Sequence, residues 1–403
     1  MWNFRNTFVE LAAPQRSPGW FRARNRITAS VYESALDLSP FTTGYTDSNG
    51  KTLSCQEEAI GRILGKIPPK EENEEMRIGK EQEPFERKWF ARTNHLRITH
   101  DRNKLREEYC STKSGLSEVP FADKVHKGYL YEPSLCLPLR WYDFPMQWKE
   151  DKLLSSFYPS QLEDPLHPNW FIGGSPDGEI SFSHRPDSLE SEGFPFYQFR
   201  QPGFSGFQKI YDANLEIKFP KGMYLPLLNH FVQIHEGQWE DWPRYTTYHN
   251  TRLSQPFLEE IRAAQLPFTS GVIDHFPHIW RSHFMQMQGC MAITGRKHCI
   301  YQVGSFTEGT PERPDSKIRY PLRPGDAEGT PERPDSKIRY VEVVPFDEKY
   351  WRYFLYPSLV EVVETKLKPA MSEKQLQDFT EDVRRIIEIV PKSAEVRIPF
   401  SFF

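Results

Sequence analysis

The sequence predicts an α/β protein in which helices flank a central mixed sheet. Apolar and charged residues alternate in NLEIKFP, 214–220, as in a strand with one buried face. A second apolar run, HCIYQVGSF at 298–306, has the length of a strand. Helical spacing of apolar residues is present at 54–65 and at 372–390. Strands and helices mixed along 403 residues favour one domain, 1–403, with a large core.

Several segments have helical patterns. These are 17–38 (with an interrupting turn), 54–65, 79–93, 282–294 and 372–390. Serines precede the apolar spacing and predict N-caps; they are Ser17, Ser30, Ser54 and Ser372. Pro84 is expected near the start of its helix, where proline is well tolerated.

The remaining chain is rich in turn residues. Residues 171–182, FIGGSPDGEISF, predict a strand pair around a tight turn. Loop-heavy insertions are expected at about 110–170, 183–210 and 221–280. The segment EGTPERPDSKIRY occurs at 308–320 and again at 328–340. Two copies are too few for a solenoid, so we interpret 308–340 as a duplicated loop between strands.

Composition excludes several classes of protein. The net charge of −4 argues against a simple basic nucleic-acid binder, so any DNA contact must come from a local patch. No apolar run is long enough for a transmembrane helix. The first residues lack the shape of a signal peptide, and the five cysteines contain no CxxC pair. We therefore expect an intracellular protein with reduced thiols and no membrane partner.

Two charged residues interrupt the strand at 214–220. Alternate residues of a strand share a face, so Glu216 and Lys218 project together. Such a pair alone is often a surface ion pair. A further acid, Asp177, lies in the turn GGSPDGEI. Carboxylates from neighbouring strands could bind Mg²⁺, and Lys218 could then orient a water molecule or stabilise charge on a phosphate.

The order Pro176-Asp177, then Glu216-Ile217-Lys218, matches the PD-(D/E)xK nuclease pattern. Its flanks extend the match. SPGWFRARNRITAS, GKEQEPFERKWF, GGSPDGEI, LEIKFP and HFMQMQGCMAITGR occur in that order between residues 17 and 303. This series resembles the YqaJ-type viral recombinases, the family of bacteriophage lambda exonuclease. The resemblance implies a restriction-endonuclease-like core with large insertions.

The resemblance also assigns roles to individual residues. The implied metal ligands are Asp177, Glu216 and the backbone carbonyl of Ile217, with Glu83 near a second metal or its water. Lys218 resembles the catalytic lysine, and Gln288 resembles the motif glutamine, with Gln286 beside it on the helix. A two-residue spacing lets one of these glutamines face the site. The implied ligands of the DNA 5′-phosphate are Arg24 and Ser30, with Arg22 or Arg26 as alternatives to Arg24.

The family implies a DNA exonuclease that uses two Mg²⁺ ions, with Mn²⁺ as a substitute. It would degrade linear duplex DNA from 5′ to 3′ and leave 3′ overhangs for recombination, repair or viral DNA processing. The resemblance also implies a trimer, a single-strand annealing partner, and a location in the host cytoplasm or nucleus. Two alternatives stay open: an endonuclease of the same superfamily, and a non-catalytic DNA-binding relative.

Overall fold

The structure is a computed structural model. It describes residues 2–5, 8–39, 45–47, 50–94, 96–100, 128–139, 164–182, 198–200, 207–209, 212–219, 279, 281–306 and 337–390. Most of the three predicted insertions and the first copy of the duplicated segment therefore lie outside the described residues.

The described strands are β1 (Trp2–Arg5), β2 (Phe8–Leu11), β3 (Ile27–Thr28), β4 (Leu96–Thr99), β5 (Gly128–Tyr131), β6 (Cys136–Pro138), β7 (Ile172–Gly173), β8 (Gly178–Phe182), β9 (Gln198–Arg200), β10 (Phe207–Lys209), β11 (Asp212–Lys218), β12 (His298–Phe306) and β13 (Lys337–Pro345). The described helices are α1 (Pro18–Ala23), α2 (Tyr32–Ala35), α3 (Cys55–Ile63), α4 (Glu74–Thr93), α5 (Arg281–Thr294), α6 (Glu348–Tyr350), α7 (Tyr356–Val362), α8 (Lys368–Ala370) and α9 (Glu373–Ile389). Short 3₁₀ turns lie at Ala29–Val31 and Pro168–Phe171, and π-helical turns join α6, α7 and α8.

Six strands form the central sheet, in the order β13, β12, β11, β8, β5, β4. The sheet is mixed, because β11 runs parallel to β12 and antiparallel to β8. Strands β4 and β5 are also parallel. The predicted central mixed sheet, flanked by helices, is confirmed.

Different helices cover the two faces of this sheet. Phe90 of α4 shares a buried cluster with Leu215 and Ile217 of β11. On the other face, Met287 of α5 shares a larger cluster with Tyr301 of β12. The alternation along β11 therefore sends its apolar residues toward α4 and its polar residues toward α5.

The local predictions were confirmed at most helices. Ser54 and Ser372 each form a capping box, at the starts of α3 and α9, and Ser17 caps α1. The predicted cap at Ser30 is wrong, because this residue lies within a 3₁₀ turn and its hydroxyl accepts a hydrogen bond from Arg24.

The start of one helix and the pairing of two strands differ from the prediction. Helix α4 begins at Glu74, where the Asn73 side chain accepts a hydrogen bond from the Met76 N–H, so Pro84 lies inside the helix. Strands β7 and β8 flank the predicted turn but do not pair with each other. Strand β7 pairs with β3, and β8 pairs with β5 and β11.

The second copy of the duplicated segment contributes to the sheet. Its last residues, 337–340, form the start of β13, which pairs antiparallel with β12. No helix in the described ranges combines the length and the apolar character needed to cross a membrane.

Candidate active site

The sheet register brings two predicted metal ligands together. Strands β8 and β11 are antiparallel, and Gly178 lies opposite Leu215. Asp177 directly precedes Gly178 and Glu216 directly follows Leu215, so both acids adjoin this end of the strand pair. Each of these carboxyl groups acts electrostatically on the other, so the two acids form one group at the end of the strand pair. A Cβ at Gly178 would lie 2.7 Å from Cδ1 of the buried Leu130, so a larger residue beside the two acids would force that side chain to move.

The backbone of Ile217 faces the same place. Its N–H donates a hydrogen bond of 2.8 Å to Oδ2 of Asp177. In an extended strand, the N–H and C=O of one residue point to the same side. The carbonyl of Ile217 therefore faces the end of β8 beside Asp177, as the predicted third ligand requires.

Lys218 completes this group. Its Nζ donates a short hydrogen bond to Oε1 of Glu216 and a second, of 3.3 Å, to Oε1 of Gln286 on α5. Glu216 is buried, and the Lys218 side chain keeps 21% of its surface exposed. Asp177, Glu216, Lys218 and Gln286 are called the carboxylate cluster below.

Of the two glutamines on α5, the structure brings Gln286 and not Gln288 to the carboxylate cluster. Gln288 is fully buried; its Nε2 donates to the Pro345 carbonyl at 3.0 Å, and its Oε1 accepts from the Asp347 N–H at 2.7 Å. Residues two apart on a helix point in different directions. The rotation of α5 directs Gln286 to the cluster and Gln288 to the end of β13.

The electrostatics of the carboxylate cluster reflect its burial. Burial raises the pKa of Asp177 well above its usual range, with help from Glu216 and Glu83. Burial also raises the pKa of Glu216, against the opposing effect of Lys218. Burial lowers the pKa of Lys218, but the neighbouring carboxylates, first Glu216 and then Asp177, outweigh this and raise it overall. Lys218 is therefore a charged donor.

Glu83 lies near the cluster on α4, since its charge acts on Asp177, Glu216 and Lys218. Its own oxygens are bound by two arginines. Arg87 lies 2.5 Å from Oε1, and Arg16 lies 2.5 Å from Oε2. The structure thus holds Glu83 beside the cluster through ion pairs.

The predicted phosphate ligands lie together in a second group. Nη2 of Arg24 donates to Oγ1 of Thr28 at 2.8 Å and to Oγ of Ser30 at 2.9 Å. The guanidinium lies over the Trp20 ring, 4.4 Å from its centroid. Trp20, Arg24, Thr28 and Ser30 are called the arginine pocket below.

The arginine pocket is attached to the elements that carry the cluster. Thr28 pairs with Gly173 on β7, just before the turn that contains Asp177. Tyr32 follows the pocket, and its ring packs on Gly289 of α5, where a side chain would clash. Its hydroxyl donates to the Gly173 carbonyl at 3.1 Å. Strand β7 and helix α5 therefore support both the arginine pocket and the carboxylate cluster.

The structure separates the alternatives to Arg24. Arg26 is buried; its guanidinium donates to the Trp170 carbonyl at 2.7 Å and pairs with Asp382 at 2.8 Å. It cannot reach a phosphate without breaking these bonds. Arg22 is exposed on α1 and stays an alternative.

Sequence reasoning missed three residues near the site. His283 lies one helical turn before Gln286, bonds the Tyr301 hydroxyl at 2.8 Å, and has a pKa lowered well below its usual range by burial and by Lys218. The spacing of three residues places His283 and Gln286 on the same face of a helix, and this spacing is visible in the sequence. Gln15 and Arg16 contact the site through tertiary structure, and no local pattern marks them.

The residues present fit a magnesium ion. Two carboxylates and the Ile217 carbonyl form an all-oxygen donor set, which suits a hard divalent cation. Among the described residues, the ion pairs of this region involve Glu216 and Glu83 but not Asp177. No three His, Cys, Asp or Glu side chains of the described ranges form a ready-made metal site. The set therefore fits an ion that also takes water and substrate oxygens.

Comparison with known proteins gave matches among solved structures. No family model and no curated protein matches the chain. It matches a crystal structure of LHK-Exo in complex with dAMP at 12% identity, over 93% of this chain and 100% of that one, with a TM-score of 0.33. It also matches a crystal structure of an alkaline exonuclease (LHK-Exo) from Laribacter hongkongensis at 13% identity, over 92% and 97%, with a TM-score of 0.30.

Proposed function

We propose that this protein is a Mg²⁺-dependent DNA exonuclease that degrades one strand of linear duplex DNA from a 5′ end and leaves a 3′ overhang. The observation that carries the proposal is the convergence of Asp177, Glu216 and Lys218, two carboxylates and an ammonium, at one end of neighbouring strands. The five ordered motifs support the same PD-(D/E)xK core.

In this proposal, Asp177, Glu216 and the Ile217 carbonyl hold the metal. The bound ion would lower the pKa of a water molecule and polarise the phosphate. Lys218 is a charged donor, so it orients the attacking water and stabilises negative charge on the phosphate. Gln286 accepts a hydrogen bond from Lys218 and so limits the positions of its ammonium group.

The bond changes define the product. The water oxygen forms a bond to phosphorus, the P–O3′ bond breaks, and O3′ takes a proton. The released nucleotide carries a 3′-hydroxyl, and the remaining strand has a new 5′-phosphate. Arg24 and Ser30 would bind that phosphate, since a guanidinium and a hydroxyl both donate to phosphate oxygens. Each cut thus regenerates the group that the arginine pocket recognises.

The test uses linear duplex DNA labelled at either end, with a 5′-phosphate or a 5′-hydroxyl, beside a closed circle, all in Mg²⁺. Rapid loss of the 5′-phosphorylated strand, with the circle intact, is expected. Cutting of the circle would replace the exonuclease with an endonuclease. No cutting of any substrate, in Mg²⁺ or Mn²⁺, would leave the non-catalytic DNA-binding alternative. The trimer and the annealing partner remain proposals that rest on the motif resemblance.

A further inference from the structure

The two arginines that bind Glu83 differ in how firmly they are held. Arg87 has a nearly buried side chain and also pairs with Glu132 at 2.8 Å. Arg16 keeps 43% of its side-chain surface exposed, and its ion pair within the described residues is with Glu83. Partly exposed ion pairs contribute about 1 kcal/mol or less to stability. Arg16 can therefore leave Glu83 more easily than Arg87 can, and Glu83 then keeps its ion pair with Arg87.

The backbone of Arg16 is fixed next to the carboxylate cluster. Its φ of 65° lies in the left-handed region, which residues other than glycine seldom adopt. The neighbouring residue Gln15 donates hydrogen bonds to the carbonyls of Pro133 at 2.7 Å and Pro176 at 3.2 Å. Pro176 directly precedes Asp177. The turn that carries Arg16 is thus tied to the turn that carries a predicted metal ligand.

The next residue ties Arg16 to the arginine pocket as well. Ser17 caps α1, which leads to Arg24, and its N–H donates to the Pro14 carbonyl at 3.2 Å. The residues on either side of Arg16 are therefore connected to the two groups of the site, and its guanidinium is half-exposed. A guanidinium of this kind can bind two phosphate oxygens through its planar fork of N–H donors.

We propose that Arg16 exchanges partners: it pairs with Glu83 in the protein without DNA, and it binds a backbone phosphate of DNA beside the scissile bond. The exchange frees Oε2 of Glu83 at the moment when substrate enters. This inference rests on the proposed nuclease function, and it assigns to Arg16 a substrate contact that also controls the availability of Glu83.

The experiment measures binding of a 5′-phosphorylated linear duplex in chelator, so that no cutting occurs, by fluorescence anisotropy over a range of salt concentrations. The variants are Arg16→Gly, Glu83→Gln and the double variant; Arg77→Ala, which removes an exposed arginine of α4 paired with Glu81, is the control. Glycine is chosen because it accepts a positive φ, so the variant removes the side chain without adding backbone strain.

Arg16→Gly should weaken binding and lower the slope of log Kd against log salt by about 0.9, the loss of one phosphate contact. Glu83→Gln should lower the Kd for DNA about threefold or more, because Arg16 can then bind phosphate without first breaking an ion pair with Glu83. The double variant should lose that gain, and Arg77→Ala should match the wild type. A merely structural ion pair predicts that Glu83→Gln weakens binding as Arg16→Gly does.

The inference is overturned if Arg16→Gly keeps the wild-type salt slope, or if Glu83→Gln weakens binding. Glu83→Gln tests it independently of how well Arg16→Gly folds. If the wild type binds DNA in chelator and cuts it in Mg²⁺, either of those two results refutes the proposed role of Arg16 but not the proposed nuclease function. Wild-type protein that neither binds nor cuts linear duplex refutes the proposed function itself.

Discussion

The carboxylate cluster and the arginine pocket are built in different ways. The cluster joins residues far apart in the chain, Asp177, Glu216 and Gln286, and depends on strand register and on the rotation of α5. The pocket lies within one short segment, from Trp20 to Ser30, and its arginine is held by side chains of that segment.

This difference separates chemistry from recognition. The cluster is covered by the sheet and α5, so its geometry is set by the core. The pocket lies on α1 and a 3₁₀ turn, with Ser30 exposed. Under the proposed function, damage to the cluster should abolish cutting while end binding persists, and damage to the pocket should do the reverse.

Asp177→Asn should have the largest effect. It removes a charged ligand from the cluster, and cutting of linear duplex DNA should fall about 1,000-fold, the scale of losing one well-placed electrostatic group. Binding of a 5′-phosphorylated end in chelator should stay within about twofold, because the arginine pocket is intact. Single-turnover digestion and anisotropy measure the two effects.

The control for that variant is Asp378→Asn, which removes an exposed carboxylate from α9. It should change neither quantity. Cutting at the wild-type rate by Asp177→Asn in Mg²⁺ would refute the assignment of the cluster as the catalytic site.

The two glutamines of α5 provide the second test. Gln288→Ala should lower the free energy of unfolding by about 2 to 3 kcal/mol, because it removes hydrogen bonds from the buried Pro345 carbonyl and Asp347 N–H. Gln286→Ala should lower the free energy of unfolding by only about 1 kcal/mol, because it removes one hydrogen bond from Lys218, and it should lower the cutting rate. Chemical denaturation and single-turnover digestion give the two numbers for each variant.

The reverse pattern, with Gln288→Ala stable but inactive, would restore the sequence-based assignment of Gln288. Equal loss of activity in both variants at unchanged stability would contradict the rotation of α5 on which the cluster depends.

These glutamines show where sequence reasoning ends. Strand alternation predicted that Glu216 and Lys218 share a face, and serine caps predicted the starts of α1, α3 and α9. Both rest on local geometry. The choice between Gln286 and Gln288 depends on how α5 is rotated against β12, which is a tertiary property.

The same dependence on tertiary structure explains the other features that the sequence did not predict. Arg16 and Gln15 reach the site by crossing to Glu83, Pro133 and Pro176, which are far away in sequence. Pro84 was expected near a helix start because the acidic residues before it resemble a loop, yet Asn73 caps the helix one residue before Glu74. By contrast, Arg24 and Ser30 are separated by few residues, and their contact follows from one turn of chain.

Arg24→Gln tests the pocket side of the comparison. It removes a charge that would bind the terminal phosphate, so the preference for a 5′-phosphate over a 5′-hydroxyl should fall about tenfold. The rate at saturating DNA should change less than twofold, since the cluster is untouched. Competition between the two linear substrates measures the preference.

Arg22→Gln is the matched variant, because Arg22 is an exposed arginine two residues away. It should retain the preference. Loss of preference in Arg22→Gln, with Arg24→Gln unchanged, would move the phosphate contact from the pocket to the surface of α1.

Deletion of residues 308–327 should have the smallest effect. It removes one copy of EGTPERPDSKIRY and leaves the other directly before Val341, so the pairing of β12 with β13 keeps its sequence. The connection 307–336 becomes about one third as long, and loop-closure entropy then favours folding by at most about 1 kcal/mol. Neither the cluster nor the pocket includes this segment, so the cutting rate and the 5′-phosphate preference should not change.

A variant in which a Gly/Ser sequence of equal length replaces 308–327 keeps the length but not the repeat, and it should match the wild type in denaturation and digestion. Loss of digestion in both variants, with stability retained, would mean that the repeat itself contributes to the reaction, and the site would then extend beyond the carboxylate cluster and the arginine pocket.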